Sequence, residues 1–284
     1  MIAFIINPFA GNKPKKTIDT LEKLITKIPN SLIYKTTKAG DEREITKMLI
    51  HQQPSKIIVV GGDGTVNSVA TLLVDTKIPL AIIPTGSGNG LARHLKIPMQ
   101  IEKAFHIATT GKNIQIDVGI LNDKYFFCTA GIGFDAKVAH QFSKSKKRGL
   151  LNYIHSSIIS FFNYTPVQFN FKNGKKISVF TLSIANANQY GNNAFISPES
   201  DIQDGLLELI QIKPINFLQS FVVTFRLFNK SIHKSKITHI SRDSEFEINY
   251  KINEEIQIDG EPYYTNSEIL KFSVKKQCLT IISK

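Results

Sequence analysis

Along the first part of the chain, apolar residues alternate between short continuous runs and stretches at helical spacing. Residues 2–6 are an apolar run, after which Ile18, Leu21, Leu24, Ile25 and Ile28 recur three or four positions apart, and residues 31–36 are again strand-like. Asp41 opens a helix carrying Ile45, Met48 and Leu49; residues 56–60, a helix over about 66–74, and residues 80–83 complete a βαβαβαβ order. Continuous apolar strands joined by helices predict a mostly parallel sheet covered on both faces, whose ligand site lies beyond the carboxyl ends of its strands. After about residue 116 the pattern shifts to shorter alternating strands, at 125–129, 167–171, 177–185, 206–212, 245–251 and 269–274, which predict an antiparallel sandwich. Two helical stripes interrupt it. Leu150, Leu151, Ile154, Ile158, Phe161 and Phe162 form the first, and Phe217, Leu218, Phe221, Val222, Phe225 and Phe228 the second. Each reads either as a helix packed on the sandwich or as one lying at a membrane surface.

At 284 residues the chain exceeds the size at which one core usually stops growing, which predicts two domains of roughly 120 to 160 residues. Lys and Arg number 35 against 23 Asp and Glu, a formal charge of +12 that favours nucleotides, nucleic acid or acidic membrane surfaces as partners. No RNA-recognition aromatic motif, zinc finger or helix-turn-helix pattern is present, which argues against nucleic acid. The start has no basic segment and only a five-residue apolar run, too short for a signal peptide. No stretch reaches the roughly 18 apolar residues of a spanning helix. Cys128 and Cys278 lie far apart in apolar runs and read as reduced, buried thiols. Together these features predict a cytoplasmic protein whose membrane contact is peripheral. The histidines and cysteines show no His-x-x-x-His or Cys-x-x-Cys grouping that would call for zinc.

Gly61, Gly62, Asp63, Gly64 and Thr65 follow a buried strand and precede a helix. Residues lacking Cβ let backbone N–H groups point at a phosphate while the helix contributes its positive end, although the same pattern also serves an ordinary tight turn. The run matches neither the G-x-x-x-x-G-K-[ST] loop nor the G-x-G-x-x-G fingerprint. A second glycine-rich loop, Pro84-Thr85-Gly86-Ser87-Gly88-Asn89-Gly90, again joins an apolar strand to a helix. Asn7-Pro8-Phe9-Ala10-Gly11 follows the first strand, and Thr36 with Thr37 ends the second. Small or polar groups at all four strand ends of a parallel sheet point to a phosphate ligand.

Taken in order, Asn7-Pro8-x-x-Gly11, Thr36 ahead of Gly40-Asp41, Gly61-Gly62-Asp63-Gly64-Thr65 and Gly86-Ser87-Gly88-Asn89 resemble the diacylglycerol kinase catalytic family, whose relatives include sphingosine and ceramide kinases. Gly131-Ile132-Gly133-Phe134-Asp135-Ala136, Ser197-Pro198-Glu199, Asp204-Gly205-Leu206-Leu207 and Asp259-Gly260-Glu261-Pro262 are similar to its later motifs. The resemblance implies an α/β fold class. A nucleotide-binding α/β domain with a mostly parallel sheet would occupy residues 1–117, rejoined by a strand at 277–284, and an antiparallel β-sandwich for the lipid substrate would occupy 118–276. It implies a kinase of phospholipid metabolism that uses ATP and Mg²⁺ on a lipid at a membrane surface. Diacylglycerol is the expected acceptor, a sphingoid base or another lipid the alternative, and homodimerisation is left open. An NAD kinase-like enzyme, which shares Gly-Gly-Asp-Gly-Thr, and a non-catalytic lipid- or nucleotide-binding protein are the other readings.

Residue roles follow from the same resemblance. Nucleotide contacts fall on Asn7, Thr36, Gly61, Gly62, Asp63, Gly64, Thr65, Val66, Asn67, Gly86 and Ser87. Asp63 would help organise the metal–nucleotide complex. Among the catalytic candidates Glu261, Asp259 and Asp63, Glu261 is the first choice of base and Asp63 the second. Gly86-Ser87-Gly88-Asn89-Gly90 departs from the bacterial Gly-Thr-x-Asn-Asp pattern and is more like the eukaryotic sphingosine and ceramide kinases, although Ser87 keeps the hydroxyl. Asp204, with carbonyls of Asp201 and Leu206, matches a structural Mg²⁺ loop, or else forms a solvated turn. Asp135 contacts the lipid head group or caps a helix. Lys144, Lys146, Lys147 and Arg148 precede the first apolar stripe, while Lys230, His233, Lys234 and Lys236 follow the second, as basic residues do beside acidic lipid surfaces.

Overall fold

Strand and helix alternate from the first residues: β1 (Ile2–Ile6), α1 (Lys15–Ile25), β2 (Ser31–Lys35), α2 (Asp41–Gln52), β3 (Lys56–Gly61), α3 (Asp63–Leu73), β4 (Leu80–Pro84), α4 (Gly90–His94), α5 (Ile101–Thr110) and β5 (Lys112–Leu121). These come from a computed structural model, which describes residues 1–11, 15–145, 150–171, 176–249 and 254–284. The chain divides into two units, Met1–Ile116 with Gln277–Lys284, and Asp117–Lys276.

In the first unit the strands lie side by side in the order β2-β1-β3-β4, all parallel, and the end of the last strand of the chain joins β4 through Ile281 opposite Leu80. β4 is buried throughout and β3 nearly so, because helices cover both faces and leave no polar side to the sheet. Ile6 pairs with Lys35 and with Val60, and Gly61 with Pro84. This register brings Asn7, Thr36, Gly62 and Thr85 out of the sheet along one edge. Helix α3 begins at Asp63, ahead of the expected start near residue 66. Gly62 is extended and acts as the cap, so Asp63, Gly64 and Thr65 form the first turn, where an acid complements the helix dipole.

The second unit continues with β6 (Lys124–Phe126), β7 (Thr129–Gly133), α6 (Phe134–Ser143), α7 (Leu150–Phe162), β8 (Val167–Phe171), β9 (Lys176–Val179), β10 (Thr181–Ala185), β11 (Leu207–Ile212), α8 (Phe217–Phe228), β12 (Thr238–Asp243), β13 (Glu245–Asn249), β14 (Ile256–Ile258), β15 (Glu261–Tyr263) and β16 (Ile269–Ser283). One antiparallel sheet runs β12-β11-β10-β7-β14-β15. A second set pairs the start of β16 with β13, β13 with β8, and β8 with β9, also antiparallel. Ile132, Leu182, Ile184 and Leu209 from the first sheet and Val179, Ile248, Leu270 and Phe272 from the second meet in one buried cluster, as the inner faces of a sandwich do. Both expected layers are therefore present: a mostly parallel α/β sheet, then an antiparallel β unit.

Lys146, Lys147 and Arg148 of the first basic run lie outside the described residues, as do Tyr250 and Lys251 at the end of one expected strand and the side chains of Leu150, Leu151 and Ile154. The second stripe is described in full, and its helix α8 buries only Val223. Cys128 and Cys278 carry thiols rather than a disulfide; the first is buried as expected, whereas the second is only half-buried. Among the described residues no helix is long and apolar enough to cross a membrane.

Candidate active site

Three loops of the first unit close on one another at the carboxyl edge of its sheet. The Asn7 side-chain amide donates to Thr65 Oγ1 at 2.8 Å, and its carbonyl oxygen accepts the Phe9 N–H at 2.9 Å, which ties the loop after β1 to the first turn of α3. The Thr85 N–H donates to the Gly61 carbonyl at 2.9 Å. Gly62 and Gly86 pass backbone to backbone: a Cβ on Gly86 would stand 2.5 Å from the Gly62 Cα, so only glycine permits the approach. Gly11, at a φ of +68°, packs likewise on the Thr85 carbonyl. Thr36 is buried beside this edge, with its N–H on the Ile6 carbonyl at 2.9 Å. Ser87 is exposed at the loop tip, whereas Val66 is buried and Asn67 half-buried along α3.

The Asp63 carboxylate locks the two glycine loops together. Its oxygens accept the N–H groups of Asn89 and Gly90, both at 2.7 Å, and Arg93 Nε holds the Gly88 carbonyl at 2.9 Å. Although Asp63 as a residue is only half-buried, protein surrounds its carboxyl group, and burial pushes it above the usual carboxylate range despite those N–H bonds and the nearby Arg93 guanidinium. The Thr85 hydroxyl is buried and has no hydrogen-bond partner among the described residues. Buried hydroxyls are nearly always paired, so a polar ligand atom fits there. Neither Thr85 nor Arg93 stood out as a site residue in the sequence. The strand register could have placed Thr85, which leaves the sheet beside Gly62.

In the second unit, Asp259 and Glu261 flank a tight turn between β14 and β15, with φ of +50° at Asp259 and +80° at Gly260. The Asp259 carboxylate accepts three backbone N–H groups, from Phe127 at 2.8 Å, Cys128 at 2.7 Å and Thr129 at 3.0 Å. The Gly260 N–H donates to Gln257 Oε1 at 2.8 Å. Glu261 is exposed at the first position of β15, opposite Ile258. Asp259 thus anchors the turn that presents Glu261.

Asp135 lies in the first turn of α6 and is wholly enclosed. Thr181 Oγ1 donates to it at 2.5 Å, Ser183 Oγ at 2.9 Å, Gln257 Nε2 at 3.1 Å and the Tyr190 hydroxyl at 3.3 Å. Sequence reading missed these four partners. Thr181 and Ser183 stand two apart on β10 and so share a face, but their meeting with Asp135 is tertiary. Burial raises the Asp135 carboxyl above its ordinary value, against the pull of Thr181, Ser183 and Gln257. An acid whose folded value is raised binds its proton more readily folded than unfolded. Stability therefore falls as pH climbs from the unfolded carboxylate value, about 3.9, through the raised folded one. The Asp135→Asn variant is expected to lose that slope and to melt no lower than wild type at pH 8, as thermal unfolding at several pH values will register.

Asp201 and Asp204 are exposed, and each turns one carboxylate oxygen back onto its own loop, to the Gln203 N–H at 3.0 Å and the Leu206 N–H at 2.9 Å. Buried Asp117, also missed in the sequence, fixes the same loop by accepting the Gly205 N–H at 2.6 Å and by its own N–H to the Ile202 carbonyl at 2.7 Å. Among the described residues no three His, Cys, Asp or Glu side chains group as a metal site.

Fold and site together define a chain with glycine-lined loops meeting at the edge of a parallel α/β sheet, followed by an antiparallel β-sandwich. The diacylglycerol kinase catalytic domain matches residues 1–121, and the YegS C-terminal NAD kinase beta sandwich-like domain matches residues 128–283. The chain belongs to this diacylglycerol kinase and YegS-like lipid kinase family. A diacylglycerol kinase of Bacillus subtilis (strain 168) is 27% identical over 90% of this chain and 88% of its own length. A probable lipid kinase YegS-like protein of Chromohalobacter salexigens is 31% identical over 65% of this chain, and the match spans 62% of that relative. A solved diacylglycerol kinase structure from Bacillus anthracis str. Sterne shares the fold at a TM-score of 0.73 and 22% identity, over 100% of this chain and 96% of that one.

Proposed function

We propose that this chain is an ATP-dependent lipid kinase that moves the γ-phosphate of ATP onto a lipid hydroxyl, with diacylglycerol the first acceptor. The observation that carries the reading is the cradle around Gly62, Gly86 and the unpaired Thr85 hydroxyl, in a chain of the lipid kinase family. ATP supplies the phosphoryl group and Mg²⁺ neutralises its oxygens during transfer. Asn7, Thr36, Thr65 and Ser87, with the backbone from Gly61 to Asn67, would hold the phosphates. Because Asp63 gives both oxygens to loop N–H groups, its part is to fix the cradle's shape, and the metal would rest chiefly on nucleotide oxygens. Asp259 is committed to three N–H groups, which leaves exposed Glu261 as the base that takes the acceptor's proton. The loop holding Asp204, with the Asp201 and Leu206 carbonyls, is the place for a second, structural Mg²⁺.

Residues 118–276 would take the lipid, with Asp135 facing its head group, from a position peripheral to the cytoplasmic face of a membrane. A sphingoid base is the second reading. The enclosed Asp135 carboxyl favours it, because an ammonium group would restore a charge that burial disfavours. Offering diacylglycerol and a sphingoid base together in detergent, with mass spectrometry of the products, separates the two. Phosphorylated diacylglycerol supports the first; a phosphorylated sphingoid base, lost in Asp135→Asn, supports the second. Phosphorylation of neither, with NAD phosphorylated instead, defeats both.

A further inference from the structure

Helix α8 is built inside out. Val223 is its one buried residue, and Leu227 leans on the same core cluster. Its large apolar side chains face away: Leu218 is 75% exposed, Phe221 59% and Phe225 67%, with Phe217, Val222 and Phe228 beside them. An exposed amphipathic helix normally shows its polar side to water, so a twelve-residue helix presenting this stripe marks a surface that meets another phase. The patch extends beyond one helix. Phe162, itself exposed, lies 5.3 Å from the Phe217 ring, and Ile158 and Ile159 of α7 are exposed too. Nor is the helix loosely formed. Asn216 accepts the Gln219 N–H and Gln219 accepts the Asn216 N–H, both at 2.9 Å, a reciprocal cap that sets the helix without a partner.

Charge identifies the occupant. From Leu209 to Arg242 there is no Asp or Glu, against six Lys and Arg. Lys213 stands exposed before the helix, and Lys230, Lys234 and Lys236 stand exposed after it. Arg226 donates to the Ser231 carbonyl just beyond the helix at 3.1 Å. Glu199 lies within 3.9 Å of His233 and 3.8 Å of Arg242, and Arg242 Nε donates to Glu208 at 2.6 Å. An apolar stripe rimmed by cations and free of acids is the surface of a helix that lies in the interface of an anionic bilayer. We infer that α8, with the exposed end of α7, is the element by which this protein docks on anionic membranes. The placement is useful to the lipid-kinase reading, on which its purpose rests. Phe217 meets Phe161 edge to face at 5.8 Å, Phe161 meets Phe134 at 6.0 Å, and Phe134 precedes Asp135, so a chain of aromatic contacts leads from the docking face toward the buried Asp135 carboxyl.

The chain contains no Trp, so Phe225→Trp gives a single reporter on the stripe. Its emission is expected to shift to the blue with phosphatidylcholine vesicles containing phosphatidylglycerol, much less with phosphatidylcholine alone, and to revert in high salt. The Leu218→Ser, Phe221→Ser, Phe225→Ser triple variant should lose at least about tenfold in affinity for the anionic vesicles. Its phosphate transfer to detergent-dispersed lipid should stay within about twofold of wild type, since burial of an interfacial stripe serves docking only. The inference is overturned if wild type does not bind anionic vesicles, if it binds while the reporter's emission stays put, or if the triple variant binds as well as wild type. It is also overturned if the blue shift arises without vesicles as protein concentration rises, which would make a second copy the occupant. Vesicle binding without transfer in detergent would defeat the kinase reading and leave docking standing; transfer in detergent without vesicle binding would do the reverse.

Discussion

Replacing Glu261 with glutamine is expected to lower phosphate transfer by roughly 10²- to 10⁴-fold, the usual contribution of a positioned base. Glutamine keeps the shape of the side chain and removes its ability to take a proton. Glu261 is exposed at the start of a short edge strand, so the substitution should move stability by no more than about 0.5 kcal/mol. Initial rates at saturating ATP, read beside a thermal unfolding curve, separate the two quantities. A variant that folds normally and retains full activity would move the base elsewhere, with Asp63 next in line. That outcome would give Asp63, whose two oxygens already hold the Asn89 and Gly90 N–H groups, a second role beside fixing the loops.

The second large effect is expected at Asp259→Ala, and it is one of stability. Three N–H groups, of Phe127, Cys128 and Thr129, lose their acceptor at once. Cys128 and Thr129 are buried, where water cannot replace it. At about 1 to 3 kcal/mol for each buried donor left unmade, the Cys128 and Thr129 N–H groups alone imply a loss of about 2 to 6 kcal/mol. Alanine also tolerates the positive φ of this position less well than aspartate. Asp259→Asn should cost distinctly less, since its amide oxygen still accepts and asparagine is at ease in the left-handed region. Denaturant unfolding of the two variants checks the order; an alanine variant as stable as wild type would show that the turn is held by something else.

Much of the fold could be read from the sequence because each strand of the first unit is a continuous apolar run, and burial on both faces of a sheet demands that pattern. Where the reading missed, polar residues were the cause. Lys275, Lys276 and Gln277 break the apolar alternation near the end of the chain and suggest two strands, yet β16 runs unbroken for 15 residues because backbone pairing does not require apolar side chains. Residues 125–129 read as one strand, but β6 and β7 are separate and Asp259 takes the N–H groups where they part.

The glycine loops were visible, as was the acid at Asp63, since few turns need so many residues without Cβ. What that acid bonds was not visible. Its partners, the N–H groups of Asn89 and Gly90, are 26 and 27 residues away and are set by tertiary structure. The same holds for Asp135, whose donors come from β10, Gln257 and Tyr190. In α8 the periodicity was clear and the direction was not, because a helical stripe has the same spacing whether it faces a core or a bilayer.

The measurement that bears most directly on the account is transfer of label from γ-labelled ATP to detergent-dispersed diacylglycerol in the presence of Mg²⁺, read in the organic phase for wild type and for Glu261→Gln. The account predicts a phosphorylated lipid that accumulates with wild type and falls by at least about a hundredfold with the variant. ATP bound or hydrolysed with no label on diacylglycerol, a sphingoid base or any other lipid would contradict it.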